Sequence, residues 1–305
     1  MNLPNRLKTG DTVGLIAPAG PPNPDNMEKG VAFIESLGLK VKKGKHSTDT
    51  YGYLAGKDAD RLSDLHDMFR DPNIAGIICL CGGYGSGRIA DQIDYQLIAD
   101  NPKVFWGYSD ITFLHTAFRQ KANLITFHGP MVSSDIGEKD FAPLSEKMFN
   151  QLFEPTKITF LEEISPLTVL AEGEAQGELT GGNLSLICST LGTPYEIDTK
   201  GKLLLIEDIG EEPYRIDAML NQLRLAGKLE QAAGIVVGDF NMPEQQKKRS
   251  LTLDQVLQDH LADLPKPVLK DFPIGHCQPH VAVPLGTQAS LSSMKKTMVI
   301  EPGVS

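Results

Sequence analysis

Four short segments carry side chains whose types and surroundings suit bond-breaking chemistry. In Val104-Phe105-Trp106-Gly107-Tyr108-Ser109-Asp110-Ile111-Thr112 an apolar run reads as a strand, and helical period begins just after Ser109. A serine at the carboxyl end of a parallel strand aims its oxygen out of the sheet, towards the next backbone N–H groups and the positive end of the helix, as an acyl-transfer nucleophile requires. A helix cap by Ser109 or Asp110 accounts for the same residues without any catalysis. The G-x-S-x-G elbow is half met, because Gly107 is present while Ile111 occupies the second glycine position.

The second segment is Cys81-Gly82-Gly83-Tyr84-Gly85-Ser86-Gly87-Arg88, directly after the apolar strand Ile74 to Leu80. Its glycines allow positive φ and close approach to a ligand. A Walker loop is not formed: Gly82 and Gly87 have the spacing, but Arg88 and Ile89 replace Lys and Ser/Thr, and G-x-G-x-x-G is not matched either. The better use of this loop is as part of an oxyanion hole, its amides converging on the tip of the next strand.

In the third segment, Leu203-Leu204-Leu205-Ile206-Glu207-Asp208, an apolar strand delivers two acids at its exit. A half-buried carboxylate there can hold an imidazole in one tautomer, and capping of the next helix is an equally common use. The fourth, Asp271-Phe272-Pro273-Ile274-Gly275-His276-Cys277-Gln278-Pro279-His280, presents two histidines on a loop. Pro273, Gly275 and Pro279 forbid the helical turn that would put His276 and His280 on one face, so no metal site is expected there. A rigidly held His276 suits general-base work; a solvated loop histidine is the ordinary alternative. The chain has no Cys-x-x-Cys and no His-Glu-x-x-His, so neither a zinc module nor a zincin is signalled.

The elements that must position these residues alternate between strand and helix in the first half. A strand at Thr12 to Ala17 leads to a helix around Asp25 to Leu37; a helix at Asp58 to Phe69, the strand Ile74 to Leu80, the strand Val104 to Trp106 and a helix at Ile111 to Arg119 follow. This βαβ rhythm predicts a parallel sheet covered on both faces. Between about Pro155 and Pro166 helical period is lost, which sets an N-terminal α/β domain over 1–155 and a C-terminal domain over 167–305. The second domain shows strands at Leu203 to Ile206, Gly234 to Val237, Val268 to Leu269 and Thr297 to Ile300. A helix from Pro213 to about Ala226 has Ile216, Met219, Leu220 and Leu223 on one face and Gly227 as its stop. A compact α+β, barrel-like domain fits this pattern.

Bulk composition narrows the function classes. With 305 residues, two cores are expected, and 41% apolar with 22% charged residues marks an ordinary folded enzyme. A formal charge of −10, from 29 Lys+Arg against 39 Asp+Glu, repels nucleic acid and anionic membranes, and neither is expected as a partner. The opening residues lack the apolar core of a secretory signal, no run approaches a membrane span, and the four cysteines read as reduced thiols, so a cytoplasmic location is expected.

Taken in order, the segments resemble the L,D-carboxypeptidase family of serine peptidases, which comprises murein tetrapeptide carboxypeptidases and relatives that inactivate microcin-type peptidyl adenylates. The resemblance runs from Gly10-Asp11-Thr12-Val13-Gly14-Leu15-Ile16-Ala17-Pro18 through Gly82-Gly83-Tyr84-Gly85-Ser86, Gly107-Tyr108-Ser109-Asp110-Ile111-Thr112 and His128-Gly129-Pro130-Met131. It continues through Gly181-Gly182-Asn183-Leu184, Glu207-Asp208-Ile209-Gly210-Glu211 and Pro213-Tyr214-Arg215-Ile216-Asp217 to Gly275-His276. It implies Ser109 as nucleophile, His276 as general base and Glu207 as the acid that orients it, with backbone N–H groups of Gly83 and Asp110 as the oxyanion hole. It also implies a flavodoxin-like or Rossmann-like N-terminal domain bearing Ser109, a C-terminal domain bearing the other two, an active site where they meet, a homodimer and no cofactor. Activity is expected to fall as His276 protonates, because hydroxyl attack needs the neutral imidazole.

The substrate implied is a small peptide or muropeptide, with release of the terminal D-alanine from a muropeptide tetrapeptide across an L,D bond, as in peptidoglycan recycling. Arg88 is a candidate for holding the substrate's terminal carboxylate, and a structural ion pair is its other reading. One alternative is a microcin-type immunity peptidase cleaving an acyl adenylate; it would need an aromatic shelf on a longer loop of the second domain, and the single Trp106 lies in a predicted strand. A non-catalytic anion-binding module, with Ser109 only a cap, is the alternative outside enzymes.

Overall fold

The computed structural model describes residues 1–161, 166–241 and 249–305. The chain divides into two compact units: Met1–Thr156 with Gln278–Gly286 and Pro302–Ser305, and Lys157–Cys277 with Thr287–Glu301. Two pieces of the expected 167–305 domain, 278–286 and 302–305, therefore group with the first unit. The boundary expected between 155 and 166 overlaps residues 162–165, which lie outside the described residues.

The first unit runs β1 (Thr12–Ile16), α1 (Pro24–Ser36), β2 (Lys40–Lys43), α2 (Asp58–Arg70), β3 (Ile74–Cys79), α3 (Tyr95–Asp100), β4 (Val104–Gly107), α4 (Thr112–Ala122), β5 (Thr126–His128) and α5 (Pro143–Lys147). Helix α1 starts where the Asn23 side chain accepts from the Asn26 N–H at 3.0 Å and Pro24 fills the first turn. Strands β2-β1-β3-β4-β5 are parallel and lie side by side in that order. This is the flavodoxin-like order, so of the two arrangements expected the Rossmann-like one is set aside. The far edge is closed by Val283–Leu285, antiparallel to β5, with Pro284 tolerated because it sits on an edge strand.

Both faces of this sheet are covered, as the nearly unbroken apolar strands require. Val13, Leu15, Ile78, Leu80 and Trp106 pack on one side with Met27, Val31 and Ile34 of α1. Ile16, Ile77, Cys79 and Phe105 pack on the other with Leu65, Met68 and Phe69 of α2 and Leu114 and Phe118 of α4. Strand order reverses between β1 and β3, and the loops leaving their carboxyl ends diverge there, which is where such sheets bind ligands.

The second unit contains β6 (Ile158–Phe160), β7 (Thr168–Ala171), β8 (Glu174–Asn183), α6 (Leu184–Thr190), β9 (Leu203–Ile209), α7 (Pro213–Leu225), α8 (Lys228–Gln231), β10 (Gly234–Asn241), α9 (Leu253–Leu261) and β11 (Val268–Lys270). With Val283–Leu285 of the first unit counted as β12, it is completed by β13 (Gln288–Ser292) and β14 (Thr297–Ile300). These strands form one mixed sheet curled as a half-barrel, in the order β6-β14-β13-β8-β9-β10-β11-β7. Helix α7 buries Ile216, Met219, Leu220 and Leu223 against Leu204 and Ile206 of β9 and Ile235 and Val237 of β10. That is the face its spacing predicts.

Strand β8 joins the two halves of this sheet. Residues 174–178 pair antiparallel with β13, and residues 179–183 pair parallel with β9. Within the pairing with β9, Gly181 and Gly182 hold φ of +115° and +132°, and a Cβ on Gly181 would lie 1.9 Å from the Leu205 carbonyl oxygen. The Gly181→Ala variant is therefore expected to break the β8–β9 pairing and to lose more than about 3 kcal/mol of stability. Urea unfolding measures this, and an unchanged midpoint would contradict the close approach.

Candidate functional site

Ser109 stands at the end of β4 with φ of +61°, a left-handed conformation that costs a non-glycine residue on the order of 1 kcal/mol. The residues on both sides are locked. The Gly107 carbonyl accepts from His115 Nε2 at 2.8 Å and from the Gly129 N–H at 3.1 Å. The Tyr108 hydroxyl donates to Asp135 Oδ1 at 2.7 Å, and Asp135 Oδ2 accepts from the Met131 N–H at 2.9 Å. Asp110, buried, accepts from the Ser86 N–H at 2.8 Å, and the Ser86 hydroxyl donates to the Asp110 carbonyl at 2.6 Å. No side chain caps either the 3₁₀ turn Ser109–Ile111 or α4. The capping reading of Ser109 and Asp110 thus has no hydrogen bond behind it.

The glycine loop packs directly on this turn. A Cβ on Gly82 would lie 2.9 Å from Ser109 Cβ and 3.0 Å from its Oγ, and Gly83 holds φ of +103°, a conformation that residues with a side chain rarely adopt. The loop is tied to the first βα loop by the Gly20 N–H, which donates to the Gly82 carbonyl at 2.9 Å. Arg61, fully buried on α2, donates to the carbonyls of Pro18 and Gly85, the latter at 2.8 Å. Arg61 was not legible in the sequence as a clamp, because an arginine on a helix ordinarily faces water. Arg88 forks onto Asp58, with Nε at 3.0 Å and Nη2 at 2.8 Å. This is the structural ion pair named as its second reading, and Arg88 and then burial and Arg61 act on the Asp58 carboxyl, with the net effect of lowering its pKa.

In the second unit, Glu207 and His276 meet. Glu207, within β9, has no exposure to water, and its Oε2 lies 2.7 Å from His276 Nδ1. A carboxylate can only accept, so Nδ1–H donates and Nε2 of the neutral ring is left as an acceptor. Gly275, at φ of +120°, brings the loop so close that a Cβ there would sit 2.7 Å from Glu207 Oε2. The loop is registered on β10 by the Asp239 N–H, which donates to the Ile274 carbonyl at 2.8 Å, and by the Asn241 amide, which donates to the His276 carbonyl at 3.3 Å.

The two acids of this strand have different partners, and neither caps the following helix α7, which has no side-chain cap bond. Asp208 caps α6: its Oδ2 accepts from the Ser185 N–H at 2.9 Å and hydroxyl at 2.7 Å, and its Oδ1 accepts from Asn183 at 3.0 Å. Glu207 takes the histidine. Asp239 is the residue that sequence reasoning missed, although Gly234 to Val237 delivers it at a strand exit much as Leu203 to Ile206 delivers Glu207. Burial and then the Glu207 charge push its carboxyl up, and His276 pulls it down.

His280 does not join His276. It is buried in the first unit, its Nε2 3.3 Å from His128 Nδ1. Among the described residues, His46, Asp49 and Asp60 have donor atoms within 4.8 Å of one another. His46 Nδ1 is bonded to Asp49 at 2.8 Å, and Asp60 accepts from the Lys57 N–H at 3.1 Å.

Residues 13–129 match the LD-carboxypeptidase N-terminal domain and residues 176–291 match its C-terminal domain. The chain belongs to the LD-carboxypeptidase family. A Bacillus subtilis protein named "Probable murein peptide carboxypeptidase" is 57% identical over 99% of this chain and 95% of its own. The muramoyltetrapeptide carboxypeptidase of Oxalobacter formigenes superposes with a TM-score of 0.86 at 26% identity, over 96% of this chain and 100% of that one. An MccF-like protein of Bacillus anthracis gives a TM-score of 0.89 at 28% identity, over 99% and 100%. Among the described residues, no helix is long and apolar enough to cross a membrane.

Two outcomes are expected of this LD-carboxypeptidase. Gly82→Ala must displace the Ser109 side chain, so kcat should fall at least about tenfold, with the unfolding midpoint changed little; an unaltered kcat would show that Gly82 does not seat the serine. Complete burial holds the His115 ring down to about 3, against the usual 6.5. The unfolded chain takes up a proton below about pH 6.5 that the folded chain refuses until near 3. Stability present above that window is therefore lost as pH falls through it, by at most about 1.4 kcal/mol per pH unit. His115→Gln should flatten the pH dependence of the urea midpoint between pH 6.5 and 4.5, and equal slopes would contradict the buried neutral ring.

Proposed function

We propose that this chain is a serine-type carboxypeptidase that hydrolyses the L,D peptide bond releasing the terminal D-alanine from muropeptide tetrapeptides, through an acyl-enzyme. The observation that carries this reading is the 2.7 Å contact of His276 Nδ1 with a fully buried Glu207, which fixes the tautomer a general base needs. The relatives named for murein peptides and muramoyltetrapeptide support the substrate class.

Ser109 Oγ attacks the scissile carbonyl carbon while its proton passes to His276 Nε2. Backbone N–H groups of Gly83 and Asp110 stabilise the oxyanion, and Glu207 stabilises the imidazolium. Collapse breaks the C–N bond, and His276 gives the proton to the departing amine of D-alanine. Water, deprotonated by the same imidazole, attacks the ester, and the acid product leaves with the serine restored. Ser109 belongs to the first unit and the Glu207–His276 pair to the second, so the reading requires that the two act on one substrate. Arg88 would hold the terminal carboxylate only by exchanging Asp58 for it. A cytoplasmic homodimer without a cofactor is part of the same reading, on family likeness.

The likeness to the MccF-like protein supports a second reading, cleavage of an acyl adenylate by the same triad. A pool of muropeptides separates them. D-alanine should appear, identified by mass and chirality, and Ser109→Ala and His276→Ala should each reduce the rate at least about a thousandfold. The kcat/KM profile should fall on its acid side as one group protonates. Release of no amino acid from any tetrapeptide, together with turnover of an acyl sulfamoyl adenylate, would replace the first reading with the second.

A further inference from the structure

The first unit exposes aromatic side chains beside the glycine loop that neither the fold nor the proposed chemistry uses. Tyr53 is 68% and Tyr84 54% exposed, and their rings meet edge to face, centroids 5.7 Å apart at 64°. A soluble enzyme gains nothing in stability by holding two large rings in water, and rings fixed in this way are suited to stacking a ligand.

Their backbones are rigidly set. Tyr84 lies between Gly83 and Gly85, at φ of +103° and +135°. Tyr53 lies on a tight turn closed by mutual hydrogen bonds of Tyr51 and Leu54, at 2.8 and 3.1 Å. Leu54 is buried, and the Ala55 N–H donates to the Ala19 carbonyl at 2.9 Å, so this turn is anchored to the same βα loop as Gly82. The two tyrosines thus share one support with the glycine that touches Ser109. Arg88, four residues after Tyr84, is 43% exposed beyond its fork to Asp58. The surface is aromatic at its centre and polar at its rim.

Chain reach bounds the ligand's length. Tyr84 is two residues from Gly82, which packs on Ser109, so its backbone lies within about 10 Å of Ser109 at a chain reach of at most about 3.5 Å per residue. In a muramoyl tetrapeptide, three residues separate the scissile carbonyl from the lactyl group of the sugar, which is also about 10 Å when extended. A pyranose offers an apolar C–H face to an aromatic ring and hydroxyl and acetamido groups to a polar rim. We propose that Tyr53 and Tyr84 form a carbohydrate platform that takes the N-acetylmuramoyl group of the substrate. This rests on the peptidase reading above and extends it to the sugar end of the molecule.

The test compares the tetrapeptide with and without its N-acetylmuramoyl group. The unmodified enzyme should favour the sugar-bearing form by about tenfold in kcat/KM, mostly through KM. In Tyr53→Ala that ratio should collapse towards one, and Tyr53→Phe should restore most of it. An equal ratio in the wild type and Tyr53→Ala, or a wild-type ratio near one, would overturn the platform. Binding of N-acetylmuramoyl dipeptide, which lacks the scissile bond, to Ser109→Ala gives an independent readout. It should bind and lose at least about fivefold in affinity when Tyr53→Ala is added. If neither tetrapeptide is cleaved, the peptidase reading fails; retained binding then still supports the platform, and absent binding removes it.

Discussion

A carboxylate wholly withdrawn from water is costly in its ionised form unless a hydrogen-bond donor stands in for the lost solvent, and this constraint shapes the second unit around Glu207. The donor is His276 Nδ1, at 2.7 Å. To bring it there the loop must pass against the strand exit with no Cβ in the way, which Gly275 allows, and must be registered on the neighbouring strand, which the Asp239 and Asn241 contacts accomplish. The strand itself is placed by its pairing with β8, whose glycines let two backbones approach where any side chain would collide. Positive-φ glycines in two separate segments thus lie where another backbone or side chain must pass close to this strand.

The first unit meets a different constraint. Ser109 occupies a conformation that an L residue adopts only under compulsion, and a lone turn would relax out of it. The compulsion comes from buried polar groups, each with a defined partner: His115 on the Gly107 carbonyl, Tyr108 on Asp135, Asp110 on Ser86. Inside the protein such bonds are stronger than in water, and breaking any one strands its partner. The strain is therefore held by side chains that the proposed mechanism does not use.

Much of this was legible in the sequence. The helices α1, α2, α4 and α7 and the strands β1, β3, β4, β9 and β10 follow from apolar period and from punctuation by proline and glycine, and the order of motifs identified the family. Strand β8 was not legible as a strand, because Glu-Ala-Gln-Gly-Glu-Leu-Thr-Gly-Gly-Asn has little β propensity and owes its extended form to partners on both sides. Val283-Pro284-Leu285 was not assigned either, since a proline argues against a strand unless the edge position is known. Arg61 stayed hidden for the same reason: its use depends on two carbonyls brought together from loops distant in sequence. Local pattern shows which way a residue faces, and only tertiary contact shows what it meets.

The acids in the last residues of β9 and β10 make this distinction concrete. Glu207, Asp208 and Asp239 all follow apolar runs, and sequence pattern treats them alike. In the fold, Asp208 is consumed by the N-terminus of α6, Glu207 by His276, and Asp239 lies half-buried beside that pair. Glu207's charge makes ionisation of Asp239 harder and a positive charge on His276 makes it easier. Coupling between two sites is reciprocal, so an ionised Asp239 favours a positive charge on His276 by the same amount. One carboxylate is thus bonded to the imidazole and a second acts on it through space.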